Sequence, residues 1–155
     1  MTPAINCAEK AKIPYKVHQY EHDKSAASFG EEAAEKLNIS AQQVFKTLVV
    51  ELDSGGMAVA VLPVAGQLNL KSMAGAVKSK KAKMADPKAV ERSSGYVLGG
   101  VSPLGQKKLL KTVIDRQALN FDTVFVSAGR RGLEIELSAD DLATLLNASF
   151  ADLSK

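Results

Sequence analysis

Lys46 is the residue whose type and setting first suggest chemistry, an ammonium inside the run Val44-Phe45-Lys46-Thr47-Leu48-Val49-Val50-Glu51-Leu52. Strand side chains alternate between faces, so Lys46 shares one with Val44, Leu48, Val50 and Leu52. A cation among aliphatic neighbours is costly unless it finds a partner, and desolvation weakens its hold on its proton. Two readings stay open on this pattern. Lys46 is either a strand-end lysine whose head reaches water, or a pocket cation that binds a carbonyl, hydroxyl or phosphate oxygen. The segment Gly99-Gly100-Val101-Ser102-Pro103-Leu104-Gly105 is the second candidate. Its glycines permit positive φ and close backbone approach, and Ser102 adds a hydroxyl. It is not a Walker-type phosphate loop, because Gly105 is followed by Gln106-Lys107-Lys108 rather than Lys-Ser/Thr and Pro103 has no amide to donate. An ordinary turn is equally compatible with its composition. Gly129-Arg130-Arg131-Gly132 reads as a solvated hairpin tip or a phosphate clamp.

Other chemistries find less support. His18 and His22 are four apart, but on a strand or loop with no soft ligands nearby, so no metal site is expected. Cys7 has no catalytic histidine at hand, and neither a Ser-His-Asp order nor an H-E-x-x-H pattern occurs. Tyr20 and Phe29 are packing residues by default.

The elements that must position these residues can be read from punctuation and period. Residues 13–20 are rich in strand formers, with Pro14 restricting them to an edge and with His18 and Tyr20 on the face opposite Tyr15 and Val17. Ser28-Phe29-Gly30-Glu31 has the form of a capping box and predicts a helix over about 29–37; Ser40-Ala41-Gln42-Gln43 repeats it weakly. Residues 44–52 and 58–64 flank the turn Asp53-Ser54-Gly55-Gly56 and predict a central hairpin. Leu70, Met73, Ala74 and Val77 behind Asn69 predict an amphipathic helix. Asp86-Pro87 starts another that Gly95 stops. Strands at 123–127 and 133–137 flank the turn at 128–132, and Ser138 caps a helix through Leu146. The fold class expected is α+β or mixed α/β, with a curled, largely antiparallel mixed sheet, barrel-like and flanked by short helices.

A chain of 155 residues buries roughly 68–70% of its unfolded surface as one unit, so a single domain over 1–155 is expected. One cysteine, no basic-then-apolar leader and no apolar run near the roughly 18 residues of a membrane span lead to the expectation of a cytoplasmic protein without a membrane partner. The net charge of +3 is unevenly spread. Lys71, Lys78, Lys80, Lys81, Lys83 and Lys88 cluster against Asp86 alone, and Lys107, Lys108 and Lys111 follow. Such runs are ordinarily a solvated face, and nucleic-acid contact is the alternative.

Taken in order, Thr2-Pro3-Ala4, Phe29-Gly30-Glu31-Glu32-Ala33-Ala34, Val44-Phe45-Lys46-Thr47-Leu48, Gly95-Tyr96-Val97-Leu98-Gly99-Gly100-Val101-Ser102-Pro103-Leu104-Gly105-Gln106-Lys107-Lys108 and Gly129-Arg130-Arg131-Gly132-Leu133 closely resemble the YbaK family. This belongs to the superfamily of the editing domain of bacterial prolyl-tRNA synthetase. The resemblance spans nearly the whole chain. It implies a free-standing aminoacyl-tRNA deacylase that clears cysteine mischarged onto tRNA(Pro), with no cofactor. The tRNA acceptor end is the implied partner, together with prolyl-tRNA synthetase. It implies catalytic roles for Lys46 and for the Gly100 amide, as oxyanion donor. It also implies a substrate pocket of Tyr20, Phe29, Thr47, Gly99, Val101, Ser102, Pro103, Gly129, Arg131, Gly132 and Glu134, the last standing where aspartate is expected in relatives. The family mechanism is attack of the substrate thiol on its own ester carbonyl, which fits a chain with no assembled nucleophile of its own. A non-catalytic module that binds acceptor ends or the synthetase, and a deacylase for another small amino acid such as alanine on tRNA(Pro), are the alternatives.

Overall fold

The computed structural model describes residues 1–23 and 29–155, the side chain of Phe29 excepted. Ser28, the expected helix cap, lies outside the described residues, but the helix expected after it, α2 (Phe29–Lys36), is present. The predicted hairpin forms from β2 (Phe45–Leu52) and β3 (Met57–Pro63). Gly55 and Gly56 reverse the chain at φ of +97° and +81°, a region costly to residues with a Cβ. The antiparallel register sets Lys46 opposite Leu62 and Val50 opposite Ala58. Two parallel strands, β5 (Lys111–Asp115) and β8 (Ser149–Ala151), extend this sheet beyond β3, and β4 (Ala82–Met84) borders β2. The order is β4-β2-β3-β5-β8. A smaller antiparallel sheet has the order β1-β7-β6, from β1 (Lys16–Gln19), β7 (Leu133–Leu137) and β6 (Val124–Arg130).

Mixed α+β architecture with largely antiparallel pairing is therefore present, but the barrel-like curl is not. The sheets are joined by one parallel bridge, Val44 with Phe125, and by the Phe125 amide donating to the Gln43 carbonyl at 3.0 Å. Closing a barrel needs an unbroken ladder. Here the link is one residue wide, and β1, β4 and β8 end their sheets as edges.

Helix starts follow their caps. Asn69 accepts from the Ser72 amide (3.1 Å) at α3 (Leu70–Ala76), and Ser138 from the Asp141 amide (3.1 Å) at α5 (Ala139–Leu146). Asp86 caps α4 (Pro87–Ser94), which Gly95 ends at φ +84°. An unpredicted helix, α1 (Pro3–Ala11), begins at Thr2, whose hydroxyl accepts from the Ile5 amide at 3.3 Å. Ser40 starts no helix; the Gln43 amide closes a turn onto its carbonyl (3.0 Å).

Alternation sorts the apolar side chains into three clusters. Phe45, Val49, Val59, Val61 and Ile114 of the larger sheet meet Val126, Leu133, Ile135 and Leu137 of the smaller one, with α1 and α5 sealing the edges. Val50, Leu62 and Val113 pack under Met73 of α3 and Leu153. Val44, Val64 and Phe125 pack under Ala33 and Ala34 of α2. Beyond β8, the buried Asp115 carboxylate accepts from the Leu153 amide (3.2 Å) and the Ser154 hydroxyl (2.8 Å). Leu153 then accepts from the Asn69 amide (2.7 Å), and the Lys155 amide donates to the Gln67 carbonyl (2.9 Å). Residues 153–155 thereby brace residues 66–69. Among the described residues no helix is long and apolar enough to cross a membrane.

Candidate active site

Where the two sheets meet beside α2, a cleft of about 330 Å³ opens. Lys46 enters it from the start of β2, on the face it shares with Val44 and with Leu48, Val50 and Leu52 of the second cluster. Its Nζ donates to the Gly66 carbonyl at 2.7 Å. Burial holds its pKa below the usual lysine range, and the charge of Glu31 on α2 acts in the opposite sense. The ammonium is thus a half-buried pocket cation rather than a freely solvated one. Thr47, the next residue, also lines the cleft, and its buried hydroxyl has no partner among the described residues.

The facing wall comes from the smaller sheet. Ser127 of β6 and His18 of β1 flank Glu134 of β7 in register. His18 turns away to Glu136 (2.8 Å), so its imidazole is engaged outside the cleft. Glu134 is only 6% exposed, and burial pushes its carboxyl up to about 8. Tyr20 lines the same wall. Its phenol is pushed up to about 12 by burial and then by the Glu134 charge, against a lowering backbone hydrogen bond at Gly132. The Tyr20 amide donates to the Gly132 carbonyl at 3.0 Å. Gly132 holds φ +84°, and a Cβ there would stand 2.7 Å from the Tyr20 carbonyl oxygen, so the close approach requires glycine.

The rim is the segment 97–101 against the β6–β7 turn. Gly99 lines the cleft at φ +90° under the Arg131 guanidinium, whose Nε would lie 2.3 Å from an added Cβ. Arg131 in turn approaches His22 Nε2 at 3.4 Å. Gly100 packs against Arg130, an added Cβ falling 2.8 Å from the Arg130 Cα. Its amide donates to the Val97 carbonyl at 3.0 Å, so in this conformation the turn uses that N–H. Val101 lines the cleft, whereas Ser102 and Pro103 are buried outside it. Ser102 Oγ accepts from the Leu104 amide (3.2 Å), an internal turn bond. Gly129 also lies outside the cleft, at φ +110° against Tyr96 and Thr2. These three shape the loops behind the rim. The side chain of Phe29 is outside the described residues, and the neighbouring Gly30 lines the cleft against Val64.

Sequence reasoning passed over Ser127, Val64 and Leu98, which also line the cleft, as does Arg130 of the segment weighed as a phosphate clamp. Ser127 had a signal: within the alternating strand at 123–127 it is a hydroxyl on the face of Phe125, opposite Val124 and Val126. Gly66 had none, since its part depends on where the chain returns after β3. His22 Nδ1 sits 2.7 Å from Glu32, and among the described residues no group of three His, Cys, Asp or Glu side chains gathers to hold a metal. Cys7 packs on α1 against the first cluster and does not line the cleft.

Comparison with known proteins agrees with this geometry. The aminoacyl-tRNA editing domain family matches residues 23–145. A protein of Enterococcus faecalis (strain ATCC 700802 / V583) described as "Putative Cys-tRNA(Pro)/Cys-tRNA(Cys) deacylase EbsC" is 37% identical over 153 residues, 99% of this chain and 93% of that protein. "Uncharacterized protein YwhH" of Bacillus subtilis (strain 168) is 30% identical over 118 residues, 73% of this chain and 71% of its own. In fold, the solved structure of "a putative trans-editing enzyme for prolyl tRNA synthetase" superposes with a TM-score of 0.87 at 22% identity, covering 99% of this chain and 95% of the other. With Lys46 in a cleft between the sheets and the family match spanning it, the chain belongs to the YbaK-type aminoacyl-tRNA editing domain family, whose activity is deacylation of aminoacyl-tRNA.

Proposed function

We propose that this protein removes cysteine esterified to tRNA(Pro), acting as a single cytoplasmic domain over residues 1–155 in association with prolyl-tRNA synthetase. The observation that carries the reading is Lys46: a half-buried ammonium fixed on the Gly66 carbonyl beside a cleft sized for an amino acid and its ribose. Lys46 holds the ribose and carbonyl oxygens of the terminal adenosine, with Arg130 and Arg131 at the rim toward the phosphate. The substrate sulfur attacks its own ester carbonyl. The S–C bond forms, the C–O bond to the ribose breaks, and the thiol proton ends on the departing ribose hydroxyl. The products are a cyclic thioester and free tRNA. Holding the two ends of one molecule in attack geometry supplies the catalysis, and an activated side chain is not needed. With the Gly100 amide engaged in its turn, the N–H of a neighbour that lines the cleft, Gly99 or Val101, serves the developing oxyanion.

The test is to incubate the pure protein with Cys-, Ala-, Ser- and Pro-tRNA(Pro) and follow ester loss. Rapid loss from Cys-tRNA(Pro) alone supports the reading. Loss from Ala-tRNA(Pro) at a comparable rate replaces it with a water-based deacylase for small amino acids, and binding without any ester loss replaces it with a non-catalytic acceptor-end module.

A further inference from the structure

The cleft holds a second polar group that the proposed chemistry leaves unused. Glu134 and Ser127 face each other in register on β7 and β6, both lining the cleft on the wall opposite Lys46. Alternation puts them on the same face: Leu133, Ile135 and Leu137 point into the first cluster and Glu134 away from it, while Val124 and Val126 do the same for Ser127. Glu134 is 6% exposed, and no side chain or amide among the described residues bonds its carboxyl. Lys46 does not pair with it; its ammonium is committed to Gly66. The Ser127 hydroxyl accepts from the Gly129 amide at 3.2 Å, which fixes its oxygen and leaves its proton free to donate. A buried polar group without a partner is costly, and such groups in a cleft mark where a ligand group is received.

We infer that Glu134, positioned beside Ser127, is the specificity-determining residue that receives the α-amino group of the bound aminoacyl ester. The inference rests on the aminoacyl-tRNA substrate proposed above and adds a polarity to it. Ester and ribose oxygens lie toward Lys46, and the amino group lies toward Glu134. An N-acylated or amine-free ester would leave the carboxyl without a partner and is rejected for that reason.

Charged groups approach from every side. Tyr20 at the end of β1 is coupled to Glu134, and α2 presents Glu31 and Glu32, one coupled to Lys46 and the other to Tyr20. The turn after β6 brings Arg130 and Arg131 to the mouth. Burial keeps Glu134 protonated in the empty cleft, its carboxyl pushed up to about 8. An arriving ammonium reverses that balance. Binding of a protonated amine near neutral pH therefore expels the Glu134 proton, a signature that a purely structural glutamate lacks.

The experiment uses two ligands without an ester or a thiol, 3′-amino-3′-deoxyadenosine acylated with alanine and the same nucleoside acylated with propionic acid. Calorimetry at pH 6.5 in two buffers of different ionisation heat gives affinity and proton release together. For the wild type, the alanyl ligand is expected to bind roughly tenfold to hundredfold tighter than the propionyl one, as a charge-assisted bond implies, and to release about one proton. Glu134→Gln should bring the two affinities within about twofold and abolish the release, and Glu134→Asp should restore part of both. Ser127→Ala should weaken only the alanyl ligand. Equal binding of the two ligands by the wild type, or an unchanged preference in Glu134→Gln, overturns the assignment. Wild-type deacylation of Cys-tRNA(Pro) is measured in parallel. Its absence overturns the proposed function, whereas equal binding with deacylation intact overturns the amino-group assignment alone.

Discussion

Replacing Lys46 by alanine removes a charge from a strand face otherwise lined by Leu48, Val50 and Leu52, a face that accepts a methyl group more readily than an ammonium. Lys46→Ala is expected to lower kcat/KM for deacylation by at least roughly hundredfold, the scale of losing an electrostatic contact at a reacting centre. Its thermal midpoint should stay within a few degrees of wild type, and normal turnover by the folded variant would take Lys46 out of the site. Glu134 gives a second prediction at this scale, on stability. Its folded pKa, pushed up to about 8, exceeds the ordinary carboxyl value of 4.5, so between those limits the folded state holds a proton that the unfolded state has lost. Stability contributed by this group is complete below the unfolded value and declines as pH rises toward 8. Thermal melts at pH 5 to 8 should show Glu134→Gln gaining on wild type as pH rises, by at most about 1.4 kcal/mol per pH unit. A constant difference would mean that the carboxyl is ionised throughout. Lys46 was legible in the sequence because a lysine breaks the apolar alternation of one run. The Gly100 amide was not, because its bond to Val97 depends on how a loop folds on itself.

At the scale of elements, the wall carrying Tyr20 hangs on the end of β1 through a backbone approach to Gly132. Gly132→Ala would place a Cβ against the Tyr20 carbonyl at a φ that L-residues avoid, and is expected to cost on the order of 1–2 kcal/mol. Chemical denaturation would measure that cost, and the lower affinity for acyl-adenosine ligands should accompany it. A neutral Gly132→Ala would mean that β1 shifts freely. Elements bounded by strong local signals were readable: Asn69, Asp86 and Ser138 each cap the helix that follows them. Those set by distant partners were not. β5 and β8 have five and three residues and exist by parallel pairing to strands far along the chain. α1 begins with Thr2 and Pro3, a cap and a first-turn proline that sequence reading did not use.

For the whole molecule, Lys71, Lys78, Lys80, Lys81, Lys83 and Lys88 are exposed, as are Lys107, Lys108 and Lys111. Lys83 makes a long pair with Glu51, at 3.7 Å. If these lysines hold tRNA phosphates, affinity should fall steeply with salt, each neutralised phosphate contributing roughly −0.7 to −0.9 to the log–log slope. A salt-independent affinity would return them to a solvated surface. A further prediction concerns where the nucleophile resides. Cys7→Ser should leave turnover of Cys-tRNA(Pro) nearly unchanged, because Cys7 sits on α1 against the first cluster and does not line the cleft. Ser-tRNA(Pro), whose hydroxyl is a far weaker nucleophile near neutral pH, should bind yet react slowly. Equal rates for the two esters would point to an activated water, and inactivity of Cys7→Ser to a protein thiol.

The oxygen that receives Lys46 belongs to Gly66, at the head of the segment that residues 153–155 brace through Gln67, Leu68 and Asn69. Residues 153–155 therefore work as a tension member whose anchor is Asp115 and whose load is the site's cation. Ser154→Ala, which removes one of the bonds that tie this segment to Asp115 and leaves Leu153 in the second cluster, would slacken Lys46. Because Lys46 is the group proposed to hold the ribose and carbonyl oxygens, such a variant should lose both affinity for the nucleoside and rate.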